Sequence, residues 1–440
     1  MRKVFTNPSV ALFGDLLMLI ELPYGRRQIS FEVDEVEVVE TRKMPIIKLV
    51  DQELNGKLET PISSPSLRKL SENSRKILLI VPDNTRAFPS REIVPNLIKY
   101  IEEANPQAEI RILVATGLHV EVSKQELGEM LGKEIVENYE VVNHDAMDEN
   151  QVLKLEKRTS YGTPIHVNRE VMRSDLVIGA GLIEPHFFAG YSGGRKILLP
   201  GVAGRDAVFN NHGFRMIGHR NSRAGILDGN PIHEDMIEFM EKTRLDFIVN
   251  VTLNKEKKIS GIFAGDPVKA HLEGVRFLDN YVKSYFTEEA DLVLTTNGGY
   301  PLDRDLYQAV KGMDTAASVV KNGGVIVIAS ECRDGLGGHE EFLRLVQGAE
   351  SPEEILERIK KEEPIYDQWE AQVLARVLKK ASVILVSEYI SDEVAEGLLL
   401  KRARDLEEAL EMAYEILGKK DVKIAAIPEG PYVIPSRKKT

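Results

Sequence analysis

The stretch Lys76-Ile77-Leu78-Leu79-Ile80-Val81-Pro82-Asp83-Asn84-Thr85-Arg86 shows the pattern that predicts the fold of this 440-residue chain. A short, uninterrupted apolar run is followed at once by polar residues, as expected of a buried strand that ends in a functional loop. Similar runs lie at 110–114, 176–179, 247–251, 292–296, 325–329, 383–386 and 422–427. Segments with helical spacing separate them, for example 304–320, 340–345, 368–380 and 405–417. This alternation predicts an α/β protein with mostly parallel sheets.

The length of the chain suggests two or three domains. A helical segment at 271–283 is followed by a fresh series of strands and helices from Ala290. We therefore predict two α/β/α domains, residues 1–270 and 285–440, with a binding cleft between them. Alternating residues at 29–38 predict an antiparallel strand with one face in water near the N-terminus.

Composition excludes several classes of protein. The formal net charge of −12 argues against nucleic acid or an anionic membrane as the main partner. The single cysteine, Cys332, excludes an intrachain disulfide and a site built from several thiolates. Asn7-Pro8-Ser9 interrupts the apolar core that a signal peptide needs, and no apolar run approaches the ~20 residues of a membrane span. We predict a cytoplasmic protein.

Polar side chains with useful chemistry follow several of the predicted strands, where open α/β sheets bind their ligands. In chain order they are Asp83, Thr85, Arg86, His119, His186, Lys196, His212, Gln308 and Lys311, and two glycines, Gly193 and Gly194, come just before Lys196. A guanidinium, imidazoles and amines in one cleft predict an enzyme for a small carboxylate, with or without a metal.

Each of these features also has a plain structural interpretation when it is taken alone. The Asp83-Asn84-Thr85 segment could be a turn and helix cap, and a single histidine could be a hydrogen-bonded loop residue. Gln308 and Lys311 could lie on a solvated helix face. The glycines before Lys196 fail the spacing of a phosphate-binding loop, because Arg195 intervenes.

In motif order and spacing, the chain resembles the nickel-dependent lactate racemase family over nearly its whole length. The motifs that carry the resemblance are Asp83-x-Thr85-Arg86, Thr116-Gly117-x-His119, Glu184-Pro185-His186, Gly193-Gly194-x-Lys196 with Pro200-Gly201, His212, Tyr307-Gln308-x-x-Lys311-Gly312 and Asp367-Gln368-Trp369.

The resemblance implies a racemase or epimerase of 2-hydroxy acids that works by reversible hydride transfer. It implies a nickel pincer nucleotide, supplied by cofactor-synthesis proteins and joined to Lys196 through a thioamide, with His212 as the nickel ligand of the protein. Thr85, Gly193 and Gly194 would contact this cofactor. His119 and His186 would be the catalytic acid–base residues. The substrate carboxylate would be bound by Arg86 with Gln308 and Lys311, and the substrate site would also include Tyr307, Trp369 and Asp83, the last as a partner of Arg86 or of a histidine.

The sequence leaves alternatives for substrate and function. Val120 and Glu121 follow His119 where many relatives have a basic residue, so malate-like and sugar acids stand beside lactate as the small 2-hydroxycarboxylate substrate. The alternative enzyme is an α/β dehydrogenase with a diffusible nicotinamide cofactor, although a complete Gly-x-Gly-x-x-Gly motif is missing. A non-catalytic cofactor carrier would need neither acid–base groups nor a carboxylate clamp. The oligomeric state and the loop that binds the cofactor phosphate stay open.

Overall fold

The computed structural model describes residues 18–33 and 35–438, so the prediction drawn from Asn7-Pro8-Ser9 lies outside the described residues. The strands are β1 (Met18–Tyr24), β2 (Arg27–Val33), β3 (Glu37–Val38), β4 (Lys76–Pro82), β5 (Glu109–Ala115), β6 (Glu140–Asn143), β7 (Val152–Arg158), β8 (Pro164–Asn168), β9 (Leu176–Leu182), β10 (Pro185–His186), β11 (Gly190–Tyr191), β12 (Phe247–Leu253), β13 (Ile259–Gly265), β14 (Lys283–Phe286), β15 (Ala290–Thr296), β16 (Val320–Ala329), β17 (Ala381–Val386), β18 (Lys401–Ala403), β19 (Ile424–Ile427) and β20 (Ile434–Arg437).

The helices are α1 (Val50–Glu59), α2 (Leu67–Glu72), α3 (Ser90–Ala104), α4 (Lys124–Leu131), α5 (Lys133–Asn138), α6 (Arg169–Arg173), α7 (Arg205–Asn211), α8 (Phe214–Ile217), α9 (Pro231–Lys242), α10 (Lys269–Val282), α11 (Leu306–Ala317), α12 (Glu340–Val346), α13 (Pro352–Lys361), α14 (Gln368–Leu378), α15 (Asp392–Gly397) and α16 (Leu406–Leu417). Short 3-10 turns form at Gly194–Ile197 and Gly430–Tyr432. No helix in the described part of the chain is long and apolar enough to cross a membrane.

The first large sheet has six strands in the order β13-β12-β9-β4-β5-β6. All neighbours pair in parallel except β12 and β13, which are antiparallel. The chain runs from β4 outward through β5 and β6, and then returns to place β9 on the other side of β4. The carboxyl ends of β4 and β9 therefore flank a topological switch point, where open α/β sheets bind ligands.

The second large sheet also has six strands, in the order β18-β17-β16-β15-β19-β3, and all of them pair in parallel. Its outer strand β3 comes from the N-terminal part of the chain. The antiparallel β1–β2 hairpin packs its buried residues on one face of this sheet. The alternation predicted at 29–38 corresponds to β2 and β3, which belong to different sheets.

The predicted α/β class with mostly parallel sheets is confirmed, and every predicted apolar run overlaps a strand. The helix predicted over 304–320 ends at Ala317, because Val320 already pairs with Ala290 at the start of β16. One core cluster contains buried residues from both large sheets and their helices. The division into domains 1–270 and 285–440 stays a prediction.

Candidate active site

His119 and Asp83 form an ion-pair-like contact at the ends of β4 and β5. The carboxylate Oδ2 of Asp83 lies 2.6 Å from His119 Nδ1, and its Oδ1 accepts hydrogen bonds from the Thr85 hydroxyl (2.6 Å) and backbone N–H (3.2 Å). Asp83 is 3% exposed, whereas the His119 side chain is 48% exposed. Burial raises the pKa of Asp83, but the bonds from His119 and Thr85 and the charge of Arg86 outweigh it, so the pKa is lowered from its ordinary value. An ionised Asp83 orients His119 and leaves Nε2 free to exchange a proton.

His186 lies on a tight hairpin formed by β10 and β11, directly after β9. Its Nδ1 accepts a 3.3 Å hydrogen bond from the backbone N–H of Ala189, and its ring stacks on Phe187 and meets the edge of Phe188. Burial, followed by the charges of Lys196 and Arg86, holds the pKa of His186 well below its usual range. His186 is therefore neutral at neutral pH, with its proton on Nε2.

Lys196 lies in the 3-10 turn that follows this hairpin. Its Nζ is 5.6 Å from the ring centre of Phe188. Burial and the neighbouring charges of Arg86, Arg195 and Lys311 hold the pKa of the amine well below its ordinary value. The lowered pKa favours the neutral form of the amine, which is the nucleophilic form.

Arg195 supports this turn from behind and is 1% exposed. Its guanidinium donates to the carbonyls of Ala189 (2.8 Å) and Gly193 (3.3 Å), which ties the His186 hairpin to the Lys196 turn. Burial lowers its pKa to about 9. In the sequence, Arg195 only breaks the spacing of a phosphate-binding loop, and its supporting role was missed. The signal that could have identified this role is its position directly beside the candidate lysine.

Gly193 and Gly194 make the close turn that leads into Lys196. The N–H of Gly194 donates to Asn250 Oδ1 at 2.7 Å, and a Cβ on Gly194 would lie 2.8 Å from the ring of His271. The glycines are thus needed for packing against α10 and β12. The Thr85 hydroxyl is likewise occupied by Asp83, and contacts of these three residues with a cofactor stay a prediction.

His212 ends α7 and is 5% exposed. Its ring meets the edges of Phe188 and Trp369, at 5.0 Å and 5.5 Å between ring centres. Its Nδ1 is buried and has no hydrogen-bond partner among the described residues. Burial, followed by the charge of Lys196, holds the pKa of His212 well below its usual range. A neutral imidazole with an unused lone pair can bind a metal ion.

The position of His212 depends on a buried network that sequence reasoning missed. The carboxylate of Asp235 on α9 accepts hydrogen bonds from Asn211 (2.7 Å), Thr159 (2.5 Å) and Thr163 (2.6 Å). Asn211 is the last residue of α7, directly before His212. Nothing in the spacing of these four residues signals their contact.

The second sheet contributes Gln308 and Lys311 from α11, and both are half-buried rather than on an exposed helix face. Lys311 Nζ donates to Gln308 Oε1 and lies 5.7 Å from the ring centre of Phe187. This second contact joins α11 to the His186 hairpin of the first sheet. Burial lowers the pKa of Lys311, and the charge of Glu370 raises it. Burial has the larger effect, so the pKa is lowered overall.

Tyr307 and Trp369 complete this wall of the site. Trp369 Nε1 donates to the Tyr307 hydroxyl at 3.2 Å. Glu370, directly after Trp369, is a buried carboxyl that sequence reasoning missed, and burial raises its pKa to about 8. Its Oε1 has no hydrogen-bond partner among the described residues. The signal that could have identified it is its place next to the only tryptophan.

Arg86 is exposed at the end of β4, and its charge lowers the pKa of Asp83, His186, Lys196 and Lys311. The structure thus brings the predicted residues of both sheets to one place. The site is rich in cations and neutral imidazoles, which suits a small anion.

Two family models match the chain in succession. The lactate racemase N-terminal domain matches residues 24–225, and the lactate racemase C-terminal domain matches residues 286–434. The lactate racemase of Thermoanaerobacterium thermosaccharolyticum is 38% identical over 423 residues, which are 94% of this chain and 98% of that protein. The lactate racemase of Lactiplantibacillus plantarum is 38% identical over 426 residues, which are 95% of this chain and 100% of that protein.

Solved structures agree with these matches. The lactate racemase apoprotein from T. thermosaccharolyticum superposes with a TM-score of 0.91 at 37% identity, covering 95% of this chain and all of that one. A protein from Thermotoga maritima superposes with a TM-score of 0.63 at 18% identity over 88% of this chain and 98% of its own, which shows a shared fold alone. The chain therefore belongs to the lactate racemase family, and it is an isomerase of the racemase type.

Proposed function

We propose that this racemase interconverts the enantiomers of lactate, with a nickel pincer nucleotide attached to Lys196 and its nickel bound by His212. The proposal rests on one juxtaposition: the amine of Lys196, the ring of His212 and the ring of His186 all border the ring of Phe188, and Nδ1 of His212 has no hydrogen-bond partner among the described residues. The names of the relatives favour lactate over malate-like or sugar acids. Membership of this family favours a racemase over a nicotinamide-dependent dehydrogenase.

The residues fit such a cofactor. A lysine amine must be neutral to be acylated, and burial keeps the pKa of Lys196 low. A nickel ligand needs a free lone pair, and Nδ1 of His212 has no other partner among the described residues. A single imidazole suits a planar nickel site whose other donors come with the cofactor. When bound, the cofactor would take up the Cα hydrogen of the substrate as a hydride and return it.

Loss of that hydride leaves a planar 2-keto acid only if the hydroxyl proton leaves as well. We propose that His119 and His186, the two acid–base residues that the resemblance implies, act on this hydroxyl, with His119 taking up its proton and His186 hydrogen-bonded to the same oxygen. With Nδ1–H directed at Asp83, His119 offers the lone pair of Nε2 to the hydroxyl proton. The negative charge of Asp83 stabilises the imidazolium that results. His186 carries its proton on Nε2 and can donate a hydrogen bond to the same substrate oxygen.

The carboxylate of the substrate would be held from both sheets. The guanidinium of Arg86 can bind it through two parallel hydrogen bonds, and the ammonium of Lys311 adds charge from the opposite side. Lys311 is itself oriented by Gln308. Held in this way, the substrate presents its Cα hydrogen and hydroxyl to the groups named above. The proposal further includes a cytoplasmic location and dependence on cofactor-synthesis proteins.

The decisive experiment is the intact mass of protein that is made together with cofactor-synthesis proteins and nickel. We expect a covalent adduct on the unchanged protein and none on Lys196→Ala. Lys311→Ala is the matched control, a second half-buried lysine of the same site, and should keep the adduct. His212→Ala should also keep it but lose nickel in metal analysis. An unchanged protein without an adduct, or an adduct that survives in Lys196→Ala, would refute the tether.

A further inference from the structure

Tyr307, His339 and Asp367 form a closed cluster behind Trp369, on three segments that precede or begin α11, α12 and α14. The rings of Tyr307 and His339 stack with 3.5 Å between ring centres and 8° between planes. Oδ1 of Asp367 accepts a hydrogen bond from the Tyr307 hydroxyl at 2.8 Å, and its Oδ2 lies 2.7 Å from His339 Nδ1. Each of the three residues therefore contacts the other two.

Chemistry fixes the direction of these hydrogen bonds. An indole N–H can only donate, so Trp369 donates to the Tyr307 oxygen, and the hydroxyl hydrogen of Tyr307 must go to Asp367. An ionised carboxylate can only accept, so Nδ1 of His339 donates to Asp367. The chain of contacts ends at the edge-to-face contact of Trp369 with His212.

The backbone of Asp367 gives an independent sign that this cluster is constrained. Asp367 has φ 61° and ψ 3°, the left-handed conformation, which persists in a residue other than glycine only where its surroundings hold it. It occupies the N-cap position of α14, where an aspartate ordinarily caps the helix with its side chain. Here the side chain makes no cap hydrogen bond, and both of its oxygens serve Tyr307 and His339.

We propose that His339 is a positioning residue that, through Asp367 and Tyr307, fixes the indole of Trp369 against His212. His339 does not reach the site itself, and its side chain is 26% exposed. It acts by donating a hydrogen bond to the second carboxylate oxygen of Asp367 and by stacking on the ring of Tyr307. An effect of His339 on catalysis is expected only if His212 has the proposed function. Its effect on the position of Trp369 does not depend on that function and can be measured in the protein without cofactor.

Trp369 is the only tryptophan, so tryptophan fluorescence of the cofactor-free protein reports on the surroundings of this one side chain. His339→Leu removes the N–H donor and the ring, and we expect red-shifted emission and stronger quenching by acrylamide. His339→Asn keeps a donor for Asp367 and should recover part of the original emission. Asp367→Asn tolerates the left-handed backbone and removes the charged acceptor, so it should give the same shift even if His339→Leu does not fold.

His166→Leu is the matched control, because His166 also faces a carboxylate, that of Asp206 at 3.7 Å, but contacts no member of the cluster. Its emission should equal that of the unchanged protein. Emission and quenching that stay unchanged in the folded variants of His339 and Asp367 would overturn the inference. That failure would leave the proposed function intact, whereas a missing adduct at Lys196 would refute the function and leave the fluorescence result intact.

In the loaded enzyme, His339→Leu should lower kcat about tenfold, the size expected for one lost hydrogen bond to a charged group. KM should stay close to its original value, because Arg86 and Lys311 are untouched. A raised KM with unchanged kcat would contradict a positioning role toward His212.

Discussion

Asp83→Asn tests the acid–base part of the mechanism most directly. The substitution keeps the size of the side chain but removes the negative charge 2.6 Å from His119 Nδ1. The asparagine amide can also donate a hydrogen bond to His119 Nδ1, whereas the carboxylate can only accept one. The imidazole can then carry its hydrogen on Nε2, where it is unable to take up the substrate proton. A hydrogen bond to a charged group contributes about 1.5–3 kcal/mol, which corresponds to a loss of roughly ten- to a hundredfold in rate.

The assay is the racemisation of each lactate enantiomer by cofactor-loaded protein. The two enantiomers have equal free energy in solution, so kcat/KM must fall by the same factor in both directions. The adduct on Lys196 and the nickel content should be unchanged, because the hydrogen bonds of Asp83 go to His119 and Thr85 and involve neither Lys196 nor His212. Asp303→Asn is the control: this buried carboxylate in the loop between β15 and α11 accepts a hydrogen bond from the N–H of Gly25, and none of its hydrogen bonds among the described residues goes to a histidine of the site.

A change of less than twofold in kcat/KM for Asp83→Asn, in protein with full adduct and nickel, would refute the role given to Asp83 and His119. An equal loss in Asp303→Asn would attribute the effect to general loss of stability instead.

Further predictions concern binding, folding and protonation. Arg86→Lys should raise KM for lactate about tenfold in steady-state kinetics, because an ammonium cannot form the two parallel hydrogen bonds of a guanidinium. Gly190→Ala should lower the free energy of unfolding by about 2 kcal/mol in a denaturant titration, because Gly190 has φ +78° and a Cβ there would lie 2.3 Å from the Ile226 carbonyl oxygen. The pKa of Asp83 is lower in the folded protein than its ordinary 3.8, so ionised Asp83 stabilises the fold above that pH. This contribution is lost as the pH falls through the folded-state pKa. Asp83→Asn should therefore remove this part of the acid sensitivity of the free energy of unfolding, measured in denaturant titrations at several pH values. In an NMR titration of the cofactor-free protein, His186 should stay neutral to well below pH 6.5, and protonation near pH 6.5 would contradict its environment.

The strands could be predicted from the sequence because parallel strands covered on both faces consist of continuous apolar runs. The prediction of one antiparallel strand over 29–38 was wrong in its pairing, because Glu37 and Val38 form the separate strand β3, which pairs in parallel with β19 at the edge of the second sheet. Alternation alone does not indicate which open sheet edge a strand will join. The helix at 304–320 was predicted too long, because apolar spacing alone does not distinguish the end of α11 from the start of β16.

Site residues at strand ends were predictable for the same reason, since the fold class alone places them near one another. Their partners were not. The sequence left Asp83 open between Arg86 and a histidine, and only the tertiary structure joins it to His119. Glu370 and Arg195 were missed because a charged residue is ordinarily solvated, and nothing local indicates that these two are buried.

The two imidazoles that we propose for catalysis, His119 and His186, have opposite surroundings, although a racemase must serve both enantiomers equally. His119 is half-exposed and has the carboxylate of Asp83 on Nδ1. His186 accepts an N–H on Nδ1, and burial, followed by the charges of Lys196, Arg86 and Lys311, disfavours its protonation. The substrate can reduce this difference, because its carboxylate brings a negative charge to the same cations that depress the pKa of His186. The contact of His186 with Ala189, at 3.3 Å, is long for a hydrogen bond and can be given up at little cost. A bound 2-hydroxy acid would therefore reduce the part of this asymmetry that comes from the cations, whereas the part that comes from burial would stay.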